Sequence, residues 1–391
     1  MKKEYAFINV AKRELSRILH KRSLYILSII SPTVIFLLFA LILRSALLRA
    51  IPVAVYDEDK SSLSLLITRY VESTPSMEVV KYVNSLDELK QEFLKGNVKG
   101  AFYLPKNMER DVKKGKQSNP VIFINSMNLI ISNNILNDGV KIIKTVSAGI
   151  LLQKFRSSGA TENQGMDIVN PVKIDTQIMC NPNYSYEQYL FPGLAVFTLM
   201  MIIMLTSVLL ISSEFVHNTF PDLLTVAHNK VSAIIIGKSI PHLLIHSVNM
   251  FILVGVIFPL FGISINGHVI LILLYLIFFV IVSFFFAIAV SSLFHDQMFA
   301  TEIVLFYNTP AFIFSGLTFP LWAMPKAIAL SAQFILFTPF LSGFLKIYQM
   351  GTPLSYILSD VFKMSIFLCI SLIVVSLSLR HHIKLYKKRI A

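Results

Sequence analysis

The chain has 391 residues, 55% of them hydrophobic and 15% charged, with a mean hydropathy of +0.67. A soluble globular chain carries about 25% charged residues, and here the deficit is gathered into runs, which excludes an ordinary soluble domain and points to lipid. The formal net charge of +13 and the pI of 9.6 do not point to nucleic acid, because the basic residues are piled against the ends of the apolar runs.

Residues 1–23 hold seven basic residues (Lys2, Lys3, Lys12, Arg13, Arg17, Lys21 and Arg22) against Glu4 and Glu14. Over residues 5–22, Phe7, Ala11, Leu15, Ile18 and Leu19 share one helical face, while Lys12, Arg13, Glu14 and Arg17 largely fall elsewhere. This pattern predicts a cytoplasmic amphipathic helix lying along the inner leaflet; a solvated basic tail is the plainer alternative. Residues 24–43 contain no Asp, Glu, Lys or Arg, and roughly 20 apolar residues span the hydrocarbon as a helix. The run is too long for the core of a cleaved signal peptide, and no convincing small-residue cleavage site follows it. It reads as an uncleaved first span.

Residues 44–188 read as an extracytoplasmic α/β domain. Strands are expected at 52–56, 77–83, 98–104 and 120–124, and helices at 61–71, 86–94, 107–114 and 131–155. Ser85, with Glu88 three residues on, starts a helix, and Gly96 stops it. The alternation argues for a small α/β sandwich with a largely parallel sheet. Residues 157–170, with Ser157, Ser158, Gly159, Asn163 and Gly165, read as a flexible loop, and 171–188 as the return to the membrane. The spacing G-x-x-x-x-G-K-[ST] occurs nowhere in the chain, so ATP binding in the usual way is not expected. A docking or gating role is the plain reading of the domain.

Residues 189–379 supply the remaining apolar runs. Phe261-Gly262 and Asn266-Gly267 break the longest run in two, which places spans near 24–43, 189–212, 240–261, 269–293, 303–321 and 358–379. After residue 379 come five basic residues (Arg380, Lys384, Lys387, Lys388 and Arg389) and no acid. Basic residues near span ends stay cytoplasmic, so both termini are placed inside and the span count is even. The expected fold is an α-helical membrane protein with six transmembrane helices plus an inserted extracytoplasmic α/β domain. It leaves a cytoplasmic loop at 213–239, a second inside segment at 294–302 and a basic cytoplasmic tail at 380–391.

Several polar and helix-breaking residues stand out. His242, His246 and Asn249 share one face of the third span; they serve either interhelical hydrogen bonding or a substrate path. Pro310, Pro320, Pro325 and Pro339 interrupt the region before the last span. Helix breaks at membrane depth must be shielded by protein or line a cavity. Residues 318–345 therefore read as an outer re-entrant hairpin, with Gly316, Pro320, Pro325 and Pro339 as a candidate outer gate. Trp322, near Lys326, suits an interface anchor, and Asp360 with Lys363 an interfacial ion pair. Cys180 and Cys369 are not expected to pair, and no metal-type spacing exists.

Taken in order, several landmarks carry a resemblance. They are Pro52-Val53-Ala54-Val55-Tyr56-Asp57-Glu58-Asp59 with Ser61 and Ser64, the stretches 96–102 and 105–115, Asn181-Pro182, Pro192-Gly193, Ser315-Gly316, Phe319-Pro320 and Met324-Pro325. The segment Glu214-Phe215-Val216-His217-Asn218-Thr219-Phe220-Pro221-Asp222-Leu223-Leu224-Thr225-Val226-Ala227, followed by Gly237-Lys238, is the functional landmark. From about residue 5 to 380 the chain resembles the permease subunit of bacterial ATP-binding-cassette exporters of the type-2 membrane-domain family. The likeness is to the branch with a large external domain after the first span. In the loop, Glu214, Thr219, Leu223, Leu224, Gly237 and Lys238 fit the family's E-x-E-x-G-T-x-E-x-L-L-x-T-P pattern and its Gly-Lys; the second Glu, the Gly, the third Glu and the Pro are replaced.

The resemblance implies that Glu214, Thr219, Phe220, Leu223, Leu224, Gly237 and Lys238 couple the chain to an ATPase. Phe220, Leu223, Leu224 and Val226 then supply an apolar face for a groove of that partner. It implies no cofactor of the chain's own, ATP being bound by a cytoplasmic ATPase subunit. The other implied partners are a second copy or sister permease, a periplasmic adaptor and membrane lipid, without nucleic acid. The implied place is the bacterial inner membrane; the apolar walls with few charges favour a drug, lipid or other amphiphile as cargo. Two rival readings are a membrane receptor or scaffold with an external sensing domain, and a membrane acyltransferase using His217 and Asp222 in an H-x-x-x-x-D spacing.

Overall fold

A computed structural model describes residues 6–44, 49–157, 159, 180 and 185–390. Lys2, Lys3, Glu4, most of the expected 157–170 loop and 171–188 return, and the Asn181-Pro182 landmark lie outside the described residues. Two compact units emerge, one within Met1–Ala46 and Ile178–Ala391 and the other within Leu47–Gln177.

The first unit opens with α1 (Ala6–His20). Its buried stripe is Val10, Glu14 and Ile18, while Leu15 and Leu19 remain 43% and 52% exposed. The side packed on the protein therefore has a carboxylate at its centre and includes Ile18 of the expected apolar face, while Leu15 and Leu19 of that face point away from the protein. Helix α2 (Arg22–Tyr25), a π-helical turn (Ile26–Ile30) and α3 (Ser31–Arg44) continue as one apolar span.

The second unit is a four-stranded sheet of β1 (Ile51–Asp57), β2 (Met77–Tyr82), β3 (Gly100–Leu104) and β4 (Val121–Ile124) in the order β2-β1-β3-β4. Strand β1 runs parallel to β2 and β3, and β4 is antiparallel to β3. Successive residues of a strand face opposite ways. Val53 and Val55 thus pack under α4 (Ser62–Ser73) and α7 (Leu129–Ser157) through Ile67, Val71, Ile135 and Ile142. Ala54 and Tyr56 pack beneath α5 (Leu86–Lys95) through Leu89. Helix α6 (Met108–Lys113) sends Met108 into the first of these cores.

The Asp57–Ser64 landmark has a structural cause. Asp57 Oδ1 accepts the N–H groups of Asp59 and Lys60, both at 2.9 Å, and Ser64 Oγ donates to Asp57 Oδ2 at 2.7 Å. Ser61 caps α4 by accepting from the Ser64 N–H at 3.1 Å, and Ser64 answers to the Ser61 N–H at 2.9 Å. These residues fasten the β1–α4 turn. Ser61→Ala should therefore cost about 1 kcal/mol and raise amide hydrogen exchange across the first turn of α4 in the full chain, with exchange in α7 unchanged.

The first unit resumes with α8 (Tyr186–Ser207) and α9 (Leu209–Val216), which form one candidate span, Glu187–Val216. A short helix, α10 (Phe220–Val226), follows. Helix α11 (Val231–Ile252), a π-turn (Leu253–Ile257) and α12 (Phe258–Leu260) make the next span, and α13 (Val269–Leu293) the one after. Then come α14 (Gln297–Phe314), α15 (Lys326–Ala332), α16 (Phe337–Tyr348) and α17 (Leu358–Ile390). Among the described residues, five helical stretches are long and apolar enough to cross a membrane. Taking Lys326–Ala332 with Phe337–Met350, bent by 84°, as one more gives six.

Span ends differ from expectation. The third begins at Val231, not near 240, so Gly237 and Lys238 sit on a span helix and outside any loop. The fifth expected span, 303–321, is instead α14, and it is not among the five. It starts early because Asp296 Oδ1 accepts the Met298 and Phe299 N–H groups at 2.8 and 3.3 Å. It stops at Ser315-Gly316 because Gly316 takes φ +98°, a left-handed conformation that costs glycine little. Residues 380–390, expected as a tail, continue α17 as helix.

Aromatic stacking holds the centre of the bundle. Phe279 of α13 lies on Phe340 of α16 with ring centroids 3.6 Å apart, and Phe337, Phe344 and Tyr348 extend the column along α16.

Candidate functional site

One end of the first unit carries a buried charged cluster built by three helices. Its geometry starts from Gly237 on α11. A Cβ there would lie 2.5 Å from Val10 Cβ and 2.7 Å from the Phe7 carbonyl oxygen, so only glycine lets α1 cross α11 this closely. That approach delivers Glu14 to Lys238. The Lys238 ammonium donates to Glu14 Oε2 and to Glu214 Oε1, both at 2.7 Å, and the side chains of all three residues are 2% exposed.

The remaining valences are met locally. Arg13 grips Glu214 with two parallel bonds of 2.9 Å, the bidentate geometry that favours arginine. Thr219 Oγ1 donates to Glu214 Oε2 at 2.6 Å. Arg17 bonds Ser213 Oγ and lies 3.5 Å from Glu14, whose Oε1 also faces His242 Nε2 at 3.3 Å. Three cations therefore meet two carboxylates. Burial alone would raise the Glu14 carboxyl, but the Lys238 ammonium, with His242 and Arg17, holds it well below the usual carboxylate range. Unpaired, such charges would not remain buried.

The segment α10 hangs from this cluster. Phe220, Leu223 and Leu224 are buried against the chain's own helices, while Asp222, Thr225, His228 and Asn229 are exposed. The apolar face expected to enter a partner's groove is thus already occupied, because the bundle offers it a closer apolar surface. Glu214, Gly237 and Lys238 are likewise internal. Beside α10, a cavity of about 620 Å³ is lined by Phe215, Phe220, Pro221, His295, His382 and Tyr386, among others. Phe215 packs on both His295 and His382, with centroids 4.4 and 4.7 Å away. His217 Nδ1 is 2.9 Å from the Ser213 carbonyl; among the described residues, no hydrogen bond or ion pair joins it to Asp222.

Deeper along α11 the expected polar face is buried throughout. His242 stands above His246, whose Nε2 meets Thr206 Oγ1 at 3.2 Å, and Asn249 Nδ2 donates to the Ser28 carbonyl at 2.7 Å. Ser28 lies in the π-turn of the first span, where the i−4 ladder is interrupted, so Asn249 stitches two spans together. At the other end of the bundle, Pro320 and Pro325 precede short helices, and Pro339 falls in the first turn of α16, where its missing N–H is tolerated. Asp360 pairs with Lys346 at 2.8 Å rather than with Lys363, which donates instead to Gln333 at 2.9 Å. The i,i+3 spacing was outcompeted by a tertiary contact.

Arg13, Glu14 and Arg17 were missed by sequence reasoning as site residues. The available signal was Glu14 in the i, i+4, i+8 row between Val10 and Ile18, a charge where a buried stripe should be apolar.

The bundle, the inserted α/β unit and the charged junction beneath a surface helix define a polytopic helical membrane protein. Over residues 22–379 the chain matches the model of the family described as ABC-2 family transporter protein, and it belongs to that family. It is accordingly the permease subunit of an ATP-binding-cassette transporter, whose family implies an ATPase partner. No curated protein matches the chain.

Proposed function

We propose that the chain exports an amphiphile, such as a drug or lipid, using ATP hydrolysed by a separate cytoplasmic subunit that docks on the exposed side of α10. The observation that carries this reading is the split character of α10. Its apolar side is locked into the bundle, and its polar side, Asp222 and Thr225 followed by His228 and Asn229, is free. Force applied there passes through Thr219 and Glu214 into Lys238 and Glu14, and so reaches α1, α9 and α11 together.

In this reading both termini are cytoplasmic in a bacterial inner membrane, and the inserted unit is extracytoplasmic, where it meets cargo or an adaptor. Helix α14 then serves as the fifth crossing. Its 18 residues give about 27 Å of helix, close to the hydrocarbon thickness. The bent α15–α16 pair forms an outer re-entrant gate with Gly316, Pro320, Pro325 and Pro339. A second copy or sister permease completes the pathway.

The test replaces an exposed residue only. Thr225→Trp should reduce recovery of the ATPase subunit in co-purification by at least about tenfold, since a hot-spot residue near the centre of an interface commonly carries about 2 kcal/mol or more. The permease's own melting temperature should be unchanged. Undiminished recovery of the ATPase would remove α10 as the docking element.

A further inference from the structure

Between α11 and α17, at the same end of the bundle as the charged cluster, lies a groove of about 500 Å³. It is lined by Lys230, Val231, Ser232, Ile235, Ile236, Ser376 and Arg380. Two features set it apart. Lys230 and Arg380 are both exposed, come from different helices and face one cavity, yet neither has an acidic partner among the described residues. Between them the wall is Val231, Ile235 and Ile236 with the hydroxyls of Ser232 and Ser376, and it runs directly into surface that carries no charge. Ile236, Ile240, Leu244 and Val248 stand exposed at i, i+4, i+8 and i+12 along α11. Ile373 and Leu377 stand exposed on α17, either side of Ser376.

A pair of unpartnered cations above paired greasy strips has a specific complement. The cations call for an anion, since two like charges sharing a cavity in isolation repel. The strips call for hydrocarbon, because α11 and α17 both belong to candidate membrane spans and their outward apolar side chains have lipid as solvent. Val231 begins α11, so the partial positive charge of that helix end adds to the same potential. Basic pockets between membrane helices at the cytoplasmic side take anionic lipid headgroups for these reasons. We propose that this groove is a binding site for one anionic phospholipid, its phosphate between Lys230 and Arg380 and its acyl chains along the exposed rows of α11 and α17. Ser232 and Ser376 are placed to donate to the headgroup oxygens.

The site stands apart from ATPase docking but adjoins it, since Lys230 follows His228 and Asn229 at the end of the α10 segment. Each cation near an anionic headgroup contributes about 1 kcal/mol, so losing both should weaken binding roughly thirtyfold.

The experiment uses the transporter purified with its ATPase subunit in mixed micelles containing phosphatidylglycerol and phosphatidylcholine, with bound lipids counted by native mass spectrometry. The wild type should retain one phosphatidylglycerol per copy of this chain through mild activation. Lys230→Gln with Arg380→Gln should lose it, with phosphatidylcholine adducts and melting temperature unchanged. Lys230→Arg with Arg380→Lys, which keeps both charges, should retain it. Equal phosphatidylglycerol retention by the Gln pair overturns the proposal. So does displacement of the bound species by low-millimolar inorganic phosphate, which would make the groove a site for a free anion.

Discussion

Replacing Lys238 with methionine should destabilise the permease by about 3–5 kcal/mol, because it leaves two buried carboxylates without the cation they share. Methionine has a similar length and no charge, so the loss is electrostatic rather than a cavity effect. Glu14 and Glu214 each accept from Lys238 at 2.7 Å, and both are nearly sealed from solvent. Arg13 continues to neutralise Glu214, but Glu14 keeps only Arg17 at 3.5 Å and His242 at 3.3 Å. The expected readout is a lower melting temperature in detergent together with loss of ATP-driven transport. Removing the stranded charge as well, with Glu14→Gln in the Lys238→Met background, should restore a large part of the stability. An unchanged melting temperature in Lys238→Met would show that the cluster does not hold α1 and α11 together.

The pH dependence follows with a definite sign. In the wild type the Glu14 carboxyl is held below its ordinary value, despite burial, by Lys238, His242 and Arg17. A depressed carboxyl contributes stability above the unfolded value of about 4.3 and loses it as pH falls through the lower folded value. The wild type should thus keep this contribution from about pH 5 upward. Burial is already the largest single influence on Glu14, and without Lys238, the strongest of the groups that oppose it, burial pushes the carboxyl upward. A raised carboxyl gains relative stability as pH falls, so the gap between wild type and Lys238→Met should narrow from pH 8 to pH 5. A gap that widens on acidification would contradict the assignment of Glu14 as the stranded charge.

How much of this was legible in the sequence depends on how local the signal is. In the inserted unit every strand and helix was expected within a few residues of where it lies, because Ser61, Ser85 and Gly96 act on their own turns. Span ends were less legible. Charge-free runs stop at Glu214 and Lys238, yet both residues lie on span helices, since each cancels the other's charge from a different helix. Glu14 was assigned to a wet face for the same reason. Its neutralising partner is 224 residues away, and no periodicity reports such a distance. Leu223 and Leu224 were identified as an apolar face, but a sequence pattern does not say whether that face meets a partner or the chain itself. For Gly237 the resemblance marked the position; the crossing of α1 gives the physical reason.

That crossing makes Gly237→Ala the second large effect. A methyl group would arrive 2.5 Å from Val10 Cβ, 2.7 Å from Val10 Cγ1 and 2.7 Å from the Phe7 carbonyl oxygen. A carbonyl oxygen and a Cβ cannot rotate away, so α1 as a whole must lift from α11. The cost should sit near the upper end for overpacking, about 3 kcal/mol, because lifting α1 also stretches the Lys238–Glu14 and Arg13–Glu214 bonds. Two other glycines calibrate the result. At Gly193 the nearest atom is Leu317 Cδ1 at 2.4 Å, the tip of a side chain that can change rotamer, so Gly193→Ala should cost less. At Gly255 nothing lies within 4 Å, and Gly255→Ala should be neutral or slightly stabilising. Melting temperatures should therefore rank Gly255→Ala above Gly193→Ala and both above Gly237→Ala. In the last variant, ATP hydrolysis by the bound partner should continue while transport falls, since the force path through Glu14 is interrupted and the exposed side of α10 is intact. If Gly237→Ala melts with Gly255→Ala, α1 is not pressed against α11, and the charged cluster loses the contact that assembles it.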